Sequence, residues 1–402
     1  MSGTARRGAG RPRTAESLAG SVLLRVPAVT DALVHVIHAQ NPAYRELNSV
    51  PDDDLWQSCH DNITRVVQMI AGVDSSFDAA HATGQRRAEQ GMPLDDVLRS
   101  FRLGGRLVWE ALTDEARAQG IVDLDVLLQV ASKVWEVVDS TSAEVAIAYH
   151  TTERHLFRAD EQRKASLWEG LLHGRAKDPA FAYEVARSLA LPVDGPYAVL
   201  AVDDVADADR TATRLGRRLA AARICAAWQV RAHTVVGLLA LGATTVDDVL
   251  DLLRDRVSAP AGLSGVVAGL AEVDTAFRQA TLARHTLPAG QVGVVALAER
   301  LPEALLVSSP DLAAQLIGAW LAPLSTLPAL EREQLLETLR MWVRAAGSVR
   351  RTAELAHCHR NTVLNRMHRI QQIVGRDLTD AAVQVEIGLA LRAIRLFPPE
   401  PD

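Results

Sequence analysis

The sequence predicts a multidomain, mainly α-helical protein: a helical N-terminal domain, a small α+β middle domain and an all-α C-terminal domain that contains a helix-turn-helix. Three observations predict this fold class. The chain has 402 residues, 48% of them apolar, which is enough for two or three separate hydrophobic cores. Apolar residues recur at helical spacing up to about residue 163 and again from Asp311 onward. Between these segments, short apolar runs bounded by turn residues are typical of β-strands.

The N-terminal part divides into a basic tail and a helical domain. Residues 1–20 are rich in Gly, Arg and Ser and predict a disordered tail. Residues 21–163 predict a helical domain, because apolar residues recur at helical spacing, as in Ile63, Val66 and Ile70. Pro51 followed by three aspartates predicts the start of a helix, since carboxylates are favoured at the positive end of the helix dipole.

A long polar helix is predicted from about Ser142 to Leu172. We interpret residues 142–174 as a connector that leaves the N-terminal domain. Its charged run from Glu153 to Lys164 is typical of a solvated helix or a short coiled coil. Gly170 and Gly174 are expected to end it.

The middle domain, residues 190–305, shows alternating strand and helix patterns. The predicted order is strand Tyr197–Val202, helix Arg210–Ala222, strands Ile224–Val230 and Thr234–Leu241 as a hairpin, helix Val246–Val257, extended Leu263–Leu270, helix Ala271–Thr286 and strand Val292–Ala296. This order predicts an α+β unit with a small antiparallel sheet.

The C-terminal domain, residues 311–400, holds the most informative segment, Leu335–Val374. Its first helix has an inward stripe that we assign to Leu336, Leu339 and Val343. Gly347 is expected to end this helix, and the following serine is a good N-cap for the next one.

The second helix of this segment, Val349 to about Ala356, places Ala353 inward, where a small side chain permits a close helix crossing. A turn at His357–His359 precedes a third helix with an apolar face formed by Val363, Met367, Ile370 and Val374. A further helix is predicted at Asp380–Leu396.

The opposite face of the third helix carries side chains suited to DNA. They are Arg360, Asn361, Thr362, Asn365, Arg366 and Arg369, and Arg350, Arg351 and Arg376 flank them. A helix fits the major groove of B-DNA, where Arg can bond guanine and Asn can bond adenine through two hydrogen bonds each. This pattern predicts base contacts from the start of the third helix and phosphate contacts from the flanking arginines.

The charge distribution favours a nucleic-acid partner. The chain carries −6 in total, yet residues 331–376 carry +5 and residues 1–13 carry +4. The remainder is therefore acidic, and one compact basic segment on an acidic body is typical of a DNA-binding protein. The stretch Gly10–Arg13 could enter a minor groove as a flexible arm, although a solubilising tail is the simpler interpretation.

The segment around the third helix resembles a known family. His359–Thr362, with Arg366 four residues later and Leu335–Leu339 upstream, resembles the C-terminal domain of PucR/CdaR-type transcriptional regulators. Residues Arg87–Gly91 through Gly105 resemble the helical N-terminal domain of RsbR-type stress-signalling proteins. Tyr197 to Leu301 resembles the degenerate GGDEF-like domain of the same regulators. The resemblance implies a sequence-specific transcriptional regulator whose N-terminal and middle domains sense a signal and mediate dimerisation.

Membrane and metal functions are not favoured by the sequence. No apolar run reaches the ~18–20 residues that span a bilayer, and no signal-peptide core follows the basic N-terminus. Three widely spaced cysteines fit a reduced cytosolic compartment. His357–His359 and the pair His35 and His38 contain metal-ligating types, but turn packing and solvent exposure explain them better. We expect a cytoplasmic protein without metal or cofactor.

Two other functions remain open. Asp203 and Asp204 follow the first strand, where nucleotide cyclases of the GGDEF class place a metal carboxylate. The hairpin turn Arg231–His233 lacks the acids and glycines that two-metal phosphoryl transfer needs, so we expect no catalytic residues. A stress-signalling scaffold is the second alternative. Exposure of Asn361, Asn365 and their neighbours would favour DNA binding over that scaffold.

The expected partners follow from the helix-turn-helix. Double-stranded DNA sites are commonly read by symmetric pairs, so we expect a homodimer. The effector, whether a small molecule or a protein, is left open by the sequence.

Overall fold

The computed structural model describes residues 15–73, 76–121, 123–203, 207–231, 233–254 and 256–398. The chain divides into two compact units, Met1–Gln162 and Arg163–Asp402. The predicted fold class is confirmed, since helices come first, a small sheet lies in the middle and helices follow. The tail before residue 15, with its possible DNA arm, and Asp204 lie outside the described residues.

The described part of the first unit is helical. Its helices are α1 (Ala15–Leu23), α2 (Val26–Gln40), α3 (Ala43–Glu46), α4 (Asp52–Ile70), α5 (Asp78–Glu89), α6 (Leu94–Ala118) and α7 (Leu124–Leu172), which continues into the second unit. Their apolar faces form one core, in which Ile37 and Leu112 are fully buried. As predicted, α4 begins directly after Pro51 with three aspartates in its first turn.

Residues 15–20 correct the predicted extent of the tail. They belong to α1, and Leu18 and Ala19 are completely buried in the core of the first unit. The composition of the segment is polar, but its few apolar side chains lie on one helix face, and that face packs against α4 and α6.

The connector also differs from its prediction. It is the second half of α7, a 49-residue helix that begins at Leu124 rather than near Ser142. Gly170 lies inside this helix, where a Cβ atom would come 2.5 Å from Cζ of Phe181, so it permits close packing instead of ending the helix. Gly174 follows the end of α7 with a φ of +81°, as expected for a terminating glycine.

The first part of the second unit is an α+β fold. It contains α8 (Pro179–Ser188), β1 (Tyr197–Val202), α9 (Ala208–Ala221), β2 (Cys225–Arg231), β3 (Thr234–Ala240), α10 (Val246–Leu253), β4 (Pro260–Leu263), α11 (Val273–His285) and β5 (Gly293–Ala296). These strands form one sheet in the order β2-β3-β1-β4-β5, with β1 completely buried at its centre.

The sheet is mixed, whereas the sequence predicts an antiparallel one. Strand β3 pairs antiparallel with β1 and β2, and β1 also pairs antiparallel with β4. Strands β4 and β5 run parallel, with Pro260 opposite Gly293. The extended segment predicted at Leu263–Leu270 is displaced, since β4 ends at Leu263. The residues around Ser258–Pro260 are typical of a turn, so the sequence does not indicate that β4 begins there. Strand β4 forms because it pairs with β1 and β5, which are distant in the sequence.

The α+β core begins well before residue 190. Trp168 and Leu171 from the end of α7, and Phe181 and Val185 from α8, pack in one cluster with Tyr197 and other residues of the sheet. The predicted domain of residues 190–305 therefore omits a helical layer that covers one face of the sheet.

The chain ends in a helical domain. Its helices are α12 (Leu301–Ser308), α13 (Pro310–Trp320), α14 (Ala322–Ser325), α15 (Ala329–Arg344), α16 (Val349–Leu355), α17 (Arg360–Val374) and α18 (Ala381–Leu396). The predicted last helix is confirmed, with the Asp380 carboxylate capping α18 by accepting from the backbone N–H of Ala382.

Among the described residues, no single helix has both the length and the apolar character to cross a bilayer. The pair Glu16–Leu23 and Val26–Gln40 meets those criteria only when joined across a 79° bend. Its apolar residues, including Leu18 and Leu33, are buried in the core of the first unit.

Candidate nucleic-acid interface

Three helices, α15, α16 and α17, build the helix-turn-helix around a shared apolar core. The apolar face of α17 is as predicted, with Val363, Met367 and Ile370 buried. On α15 the buried line is rotated from the prediction: Leu335, Leu339 and Trp342 are buried, whereas Leu336 and Val343 are half-buried. Trp342 explains this rotation, because burying its large ring turns that line of α15 inward.

The turn between α16 and α17 is fixed by backbone and side-chain hydrogen bonds. The Ser348 hydroxyl caps α16 by accepting from the N–H of Arg351, as predicted. The N–H of Cys358 donates to the carbonyl of Ala353 at 3.1 Å, and His357 has a φ of +46°. Nδ1 of His359 accepts from the N–H of Asn361 at 3.3 Å and caps α17. The residues His357–His359 thus form the turn and cap the helix that follows it.

The first exposed stripe of α17 consists of side chains free to contact a partner. Arg360, Asn361 and Asn365 are exposed, and within the described residues none of the three side chains has a hydrogen-bond or ion-pair partner. At 100° per residue, the two asparagines lie on one line opposite the buried face. This line is the part of the predicted face that projects fully into solvent.

The remaining predicted residues of α17 lie on its flank toward α15. Thr362 and Arg366 are half-buried, and Nη1 of Arg366 donates to Oγ1 of the buried Thr338 at 3.2 Å. Nε of Arg369 lies 3.4 Å from Oε1 of Glu331. The predicted face is therefore exposed only in part, and two of its members, Arg366 and Arg369, contact side chains of α15.

The flanking arginines differ from one another. Arg350 and Arg351 are exposed on α16, and Arg350 faces Glu354 at 3.9 Å. Arg376 lies 2.7 Å from Oε2 of Glu386, and its guanidinium stacks on the Trp320 ring at 4.9 Å. The ion pair and the ring contact hold Arg376 against α13 and α18, so it is not a free cation.

Three further residues extend the surface beyond the sequence prediction. His368 and Gln372 continue the line of Asn361 and Asn365 along α17, and both are exposed. Leu364, 49% exposed, lines an open groove between α16 and α17. Helical spacing from Asn365 would have indicated His368 and Gln372, since both follow it on the same line of the helix. The exposure of Leu364 is not indicated by the sequence, because a leucine in a helix is usually assigned to the buried face.

The end of α17 is held by Asp377. Its carboxylate accepts hydrogen bonds from the backbone N–H and hydroxyl of Thr379 and from Gln371, and these bonds lower its pKa from the ordinary aspartate value. The negative charge lies close to the carboxyl end of α17, after Gly375 at a φ of +72°. Leu378, the next residue, is 1% exposed in the core of the C-terminal domain, so the loop to α18 is held by both a polar and an apolar side chain.

The other candidate sites offer weaker chemistry. Oδ1 of Asp203 lies 3.7 Å from Nη1 of Arg284, a side chain only 11% exposed, so this carboxylate already faces a cation. His38 lies 3.3 Å from Asp52, and His35 is exposed. No group of three or more His, Cys, Asp or Glu residues within the described ranges is arranged to hold a metal ion.

Comparison with known proteins identifies three domain types along the chain. Residues 27–164 match the RsbT co-antagonist protein rsbRD N-terminal domain, residues 173–286 match a GGDEF-like domain, and residues 335–393 match the PucR C-terminal helix-turn-helix domain. The start of the second match at residue 173 agrees with a middle domain that begins before residue 190.

Individual relatives are similar over limited parts. The purine catabolism regulatory protein of Bacillus subtilis (strain 168) is 33% identical over 78 residues, 18% of this chain and 15% of that protein's length. The crystal structure of a regulator of polyketide synthase expression from Bifidobacterium adolescentis matches 58% of this chain and 97% of its own, with 19% identity and a TM-score of 0.29. From the three domain matches, the chain carries an RsbRD-type N-terminal domain, a GGDEF-like domain and a PucR-type C-terminal helix-turn-helix domain, and its resemblance to the PucR/CdaR-type transcriptional regulators is confirmed.

Proposed function

We propose that this protein is a sequence-specific, DNA-binding transcriptional regulator in which α17 enters the major groove. The observation that carries the proposal is the line of unpartnered polar side chains on α17, opposite a fully apolar face. Asn361 and Asn365 present amide groups that can form two hydrogen bonds with adenine, and Arg360 can bond guanine in the same way. The name of the Bacillus subtilis relative supports a role in gene regulation.

The surrounding residues have supporting roles in this proposal. Arg350 and Arg351 on α16, with Arg369 on α17, contact phosphates and fix the position of the domain on the duplex. Thr362 contacts a phosphate or a thymine methyl group, and Arg366 reaches a base edge from the flank of α17. Arg366 must release or share its bond with Thr338 to do so.

The direct test is selection from a random double-stranded DNA library with the full-length protein, followed by affinity measurements on the enriched sequence. We expect one enriched motif, and binding at least ~10³-fold tighter than to scrambled DNA of equal length. Equal affinity for selected and scrambled DNA would mean that the basic surface binds DNA without sequence specificity. That result would favour the stress-signalling scaffold.

Dimerisation and signal reception belong to the same proposal. Helix α7 exposes Leu124, Leu128 and Trp135 on the part that lies in the first unit, and their spacings of four and seven residues place these large apolar side chains on one line of the helix. A continuous apolar line of this kind is typical of a surface that pairs with another chain. We propose a homodimer in the cytoplasm whose N-terminal domain receives an unidentified effector. A mass of one chain, 43.4 kDa, in sedimentation equilibrium at micromolar concentration would contradict the dimer.

We further propose that the GGDEF-like domain has no cyclase activity. Nη1 of Arg284 lies 3.7 Å from Oδ1 of Asp203, so this carboxylate already has a cationic neighbour, which disfavours its use as a ligand of a divalent cation. We expect no cyclic dinucleotide from GTP with Mg²⁺ or Mn²⁺. Turnover that disappears in Asp203→Ala would establish an enzyme instead.

A further inference from the structure

The helical N-terminal domain contains a cavity that combines an apolar wall with buried polar atoms. Its volume is about 50 Å³, and side chains from α2 to α7 line it. A cavity needs roughly 10–15 Å³ of such space to hold one water, so this one has room for a molecule of about three to five heavy atoms. Most lining groups are apolar, including Leu33, Ile37, Val66 and Val108.

Two polar side chains on the cavity wall are incompletely bonded. Arg87 is completely buried, and its two terminal nitrogens donate to Asp54, Gln90 and Ser58, but Nε has no partner. Asn62 is 8% exposed, and its Oδ1 also has no partner. A buried polar atom without a hydrogen bond is costly and rare in folded proteins, so two on one cavity require an explanation.

The orientation of the Asn62 amide is fixed by its neighbours. Nδ2 donates to the carbonyl of Ser58 at 2.8 Å and approaches Oγ1 of Thr83 at 2.7 Å. A carbonyl can only accept, so the amide nitrogen must lie on that side and the oxygen must be the unpartnered atom. Two residues of the cavity wall thus carry atoms without a geometric partner: a donor, Nε of Arg87, near the Tyr44 hydroxyl, and an acceptor, Oδ1 of Asn62.

The charge of Arg87 already has a partner. Nη1 lies 2.5 Å from Oδ2 of Asp54, a carboxylate that also pairs with Arg86, whose side chain is 40% exposed to solvent. An anionic ligand would have to lose its water in a largely apolar cavity beside this carboxylate, so an uncharged ligand is favoured. A neutral molecule with one acceptor and one donor, and with a small apolar body, satisfies both atoms and fills the remaining volume.

We propose that this cavity is a binding site for a small uncharged molecule that carries a carbonyl or hydroxyl oxygen for Arg87 and an N–H or O–H group for Asn62. The site is independent of the proposed DNA binding, because all of its residues belong to the first unit. Its test therefore uses the full-length protein alone, without DNA.

The experiment compares three molecules of nearly equal size by saturation-transfer NMR titration. Propionamide has both the acceptor and the donor, butanone replaces the NH₂ group by a methyl group, and propionate replaces it by a charged oxygen. We expect saturable binding of propionamide, about tenfold weaker binding of butanone because Oδ1 of Asn62 stays unpaired, and no saturation by propionate. No saturable binding, or equal binding of all three, would overturn the proposal and leave ordered water as the occupant.

Variants of the cavity wall, with one control outside it, locate the binding. Asn62→Leu is expected to remove the preference for propionamide over butanone. The matched control is Asn41→Leu, because Asn41 is likewise buried with an unpartnered Oδ1 but does not line the cavity, and it should keep the preference. If Asn62→Leu does not fold, Cys59→Met fills the cavity from its wall and should abolish binding of every probe. A preference for propionamide that survives in folded Asn62→Leu, or saturable binding that survives in Cys59→Met, would overturn the assignment.

Discussion

Nη1 of Arg366 donates a hydrogen bond to Oγ1 of Thr338 at 3.2 Å and so joins α17 to α15. Thr338 is almost completely buried, at 1% exposure, whereas Arg366 is half-buried at the edge of the exposed face. One arginine therefore has two possible partners, the neighbouring helix and a base edge. Asn365, the preceding residue, has no partner in the described part of the chain and differs from Arg366 in this respect.

This difference predicts separate effects for the two alanine variants. Asn365→Ala should cost ~1–3 kcal/mol of binding free energy at the selected DNA site, with less effect on scrambled DNA and no change in Tm. Arg366→Ala should weaken site binding and also lower the Tm of the C-terminal domain, because Thr338 loses a partner. Fluorescence anisotropy and thermal unfolding measure the two effects. Equal losses on selected and scrambled DNA would contradict base contacts for the residue concerned.

The salt dependence of binding should separate Arg351 from Arg376. Arg351 is exposed on α16, so Arg351→Ala should reduce the slope of log K against log salt concentration by about 1. Arg376 is held by Glu386 and the Trp320 ring, so Arg376→Ala should leave the slope unchanged and lower the Tm. A smaller slope in Arg376→Ala would mean that this ion pair opens on DNA.

The sequence predicts the helices and the turn of the helix-turn-helix more completely than the side-chain contacts around them. Apolar spacing, the Ser348 cap and the turn are local features, so they can be read from neighbouring residues. The bond from Arg366 to Thr338 and the stacking of Arg376 on Trp320 join residues far apart in the chain, and no local pattern shows them. The parallel pairing of β4 with β5 also joins segments that are far apart in the chain, so local patterns do not indicate it.

The buried Arg87 side chain on the cavity wall is a second contact that local sequence patterns do not indicate. Arg87 lies in the stretch by which the N-terminal domain was predicted, yet its burial depends on Asp54, 33 residues earlier in the chain. Arginine is rarely buried without a partner, so the sequence favours an exposed side chain. Only the packing of α4 against α5 brings the two charges together and leaves Nε on the cavity wall.

The three cysteines should react with Ellman's reagent at different rates. Cys225 is exposed and should react first, while the half-buried Cys358 lines the groove between α16 and α17 and should react more slowly. Burial raises the pKa of Cys59 to about 12 despite the nearby charge of Arg87, so Cys59 should react only on unfolding. Selected DNA should slow Cys358 and leave Cys225 unchanged. Equal protection of both thiols would contradict binding through the α16–α17 groove.

Acid should destabilise the N-terminal domain through Asp54. Burial raises the pKa of this carboxyl, but hydrogen bonds from Gln90 and Arg87 and the charges of Arg87 and Arg86 outweigh it, so the pKa is below the ordinary value. A depressed pKa stabilises the folded state above the unfolded value of ~3.9, and this stabilisation is lost as the pH falls through the folded pKa. Denaturant unfolding from pH 6 to pH 2 measures the loss.

The matching variants test that assignment. Asp54→Asn should be less stable at pH 6 and should lose less stability than the parent on acidification. Asp53→Asn, at an exposed neighbour in the same helical turn, should follow the parent curve. Parallel pH curves for Asp54→Asn and the parent would show that Asp54 is not the titrating group.

Truncation should show where the C-terminal unit begins and whether the sensor precedes it. A chain starting at Arg163 retains Trp168 and Leu171 of α7 and all of α8, which pack on the sheet, so it should fold and bind the selected DNA. A chain starting near Pro192 lacks that layer. Each large apolar side chain in it contributes roughly 1.5–3 kcal/mol on burial, and several together approach the ~5–15 kcal/mol stability of a whole domain.

We therefore expect the shorter chain to aggregate or to unfold at a much lower Tm, and only the longer one to give an interpretable binding measurement. If the N-terminal domain receives the signal, the chain from Arg163 should bind DNA with an affinity that no longer changes when the effector, identified with the full-length protein, is added. Coupling of this kind is typically worth 1–3 kcal/mol, or about 5- to 150-fold in affinity, so its loss is measurable. An unchanged response in the chain from Arg163 would place the sensor in the GGDEF-like domain.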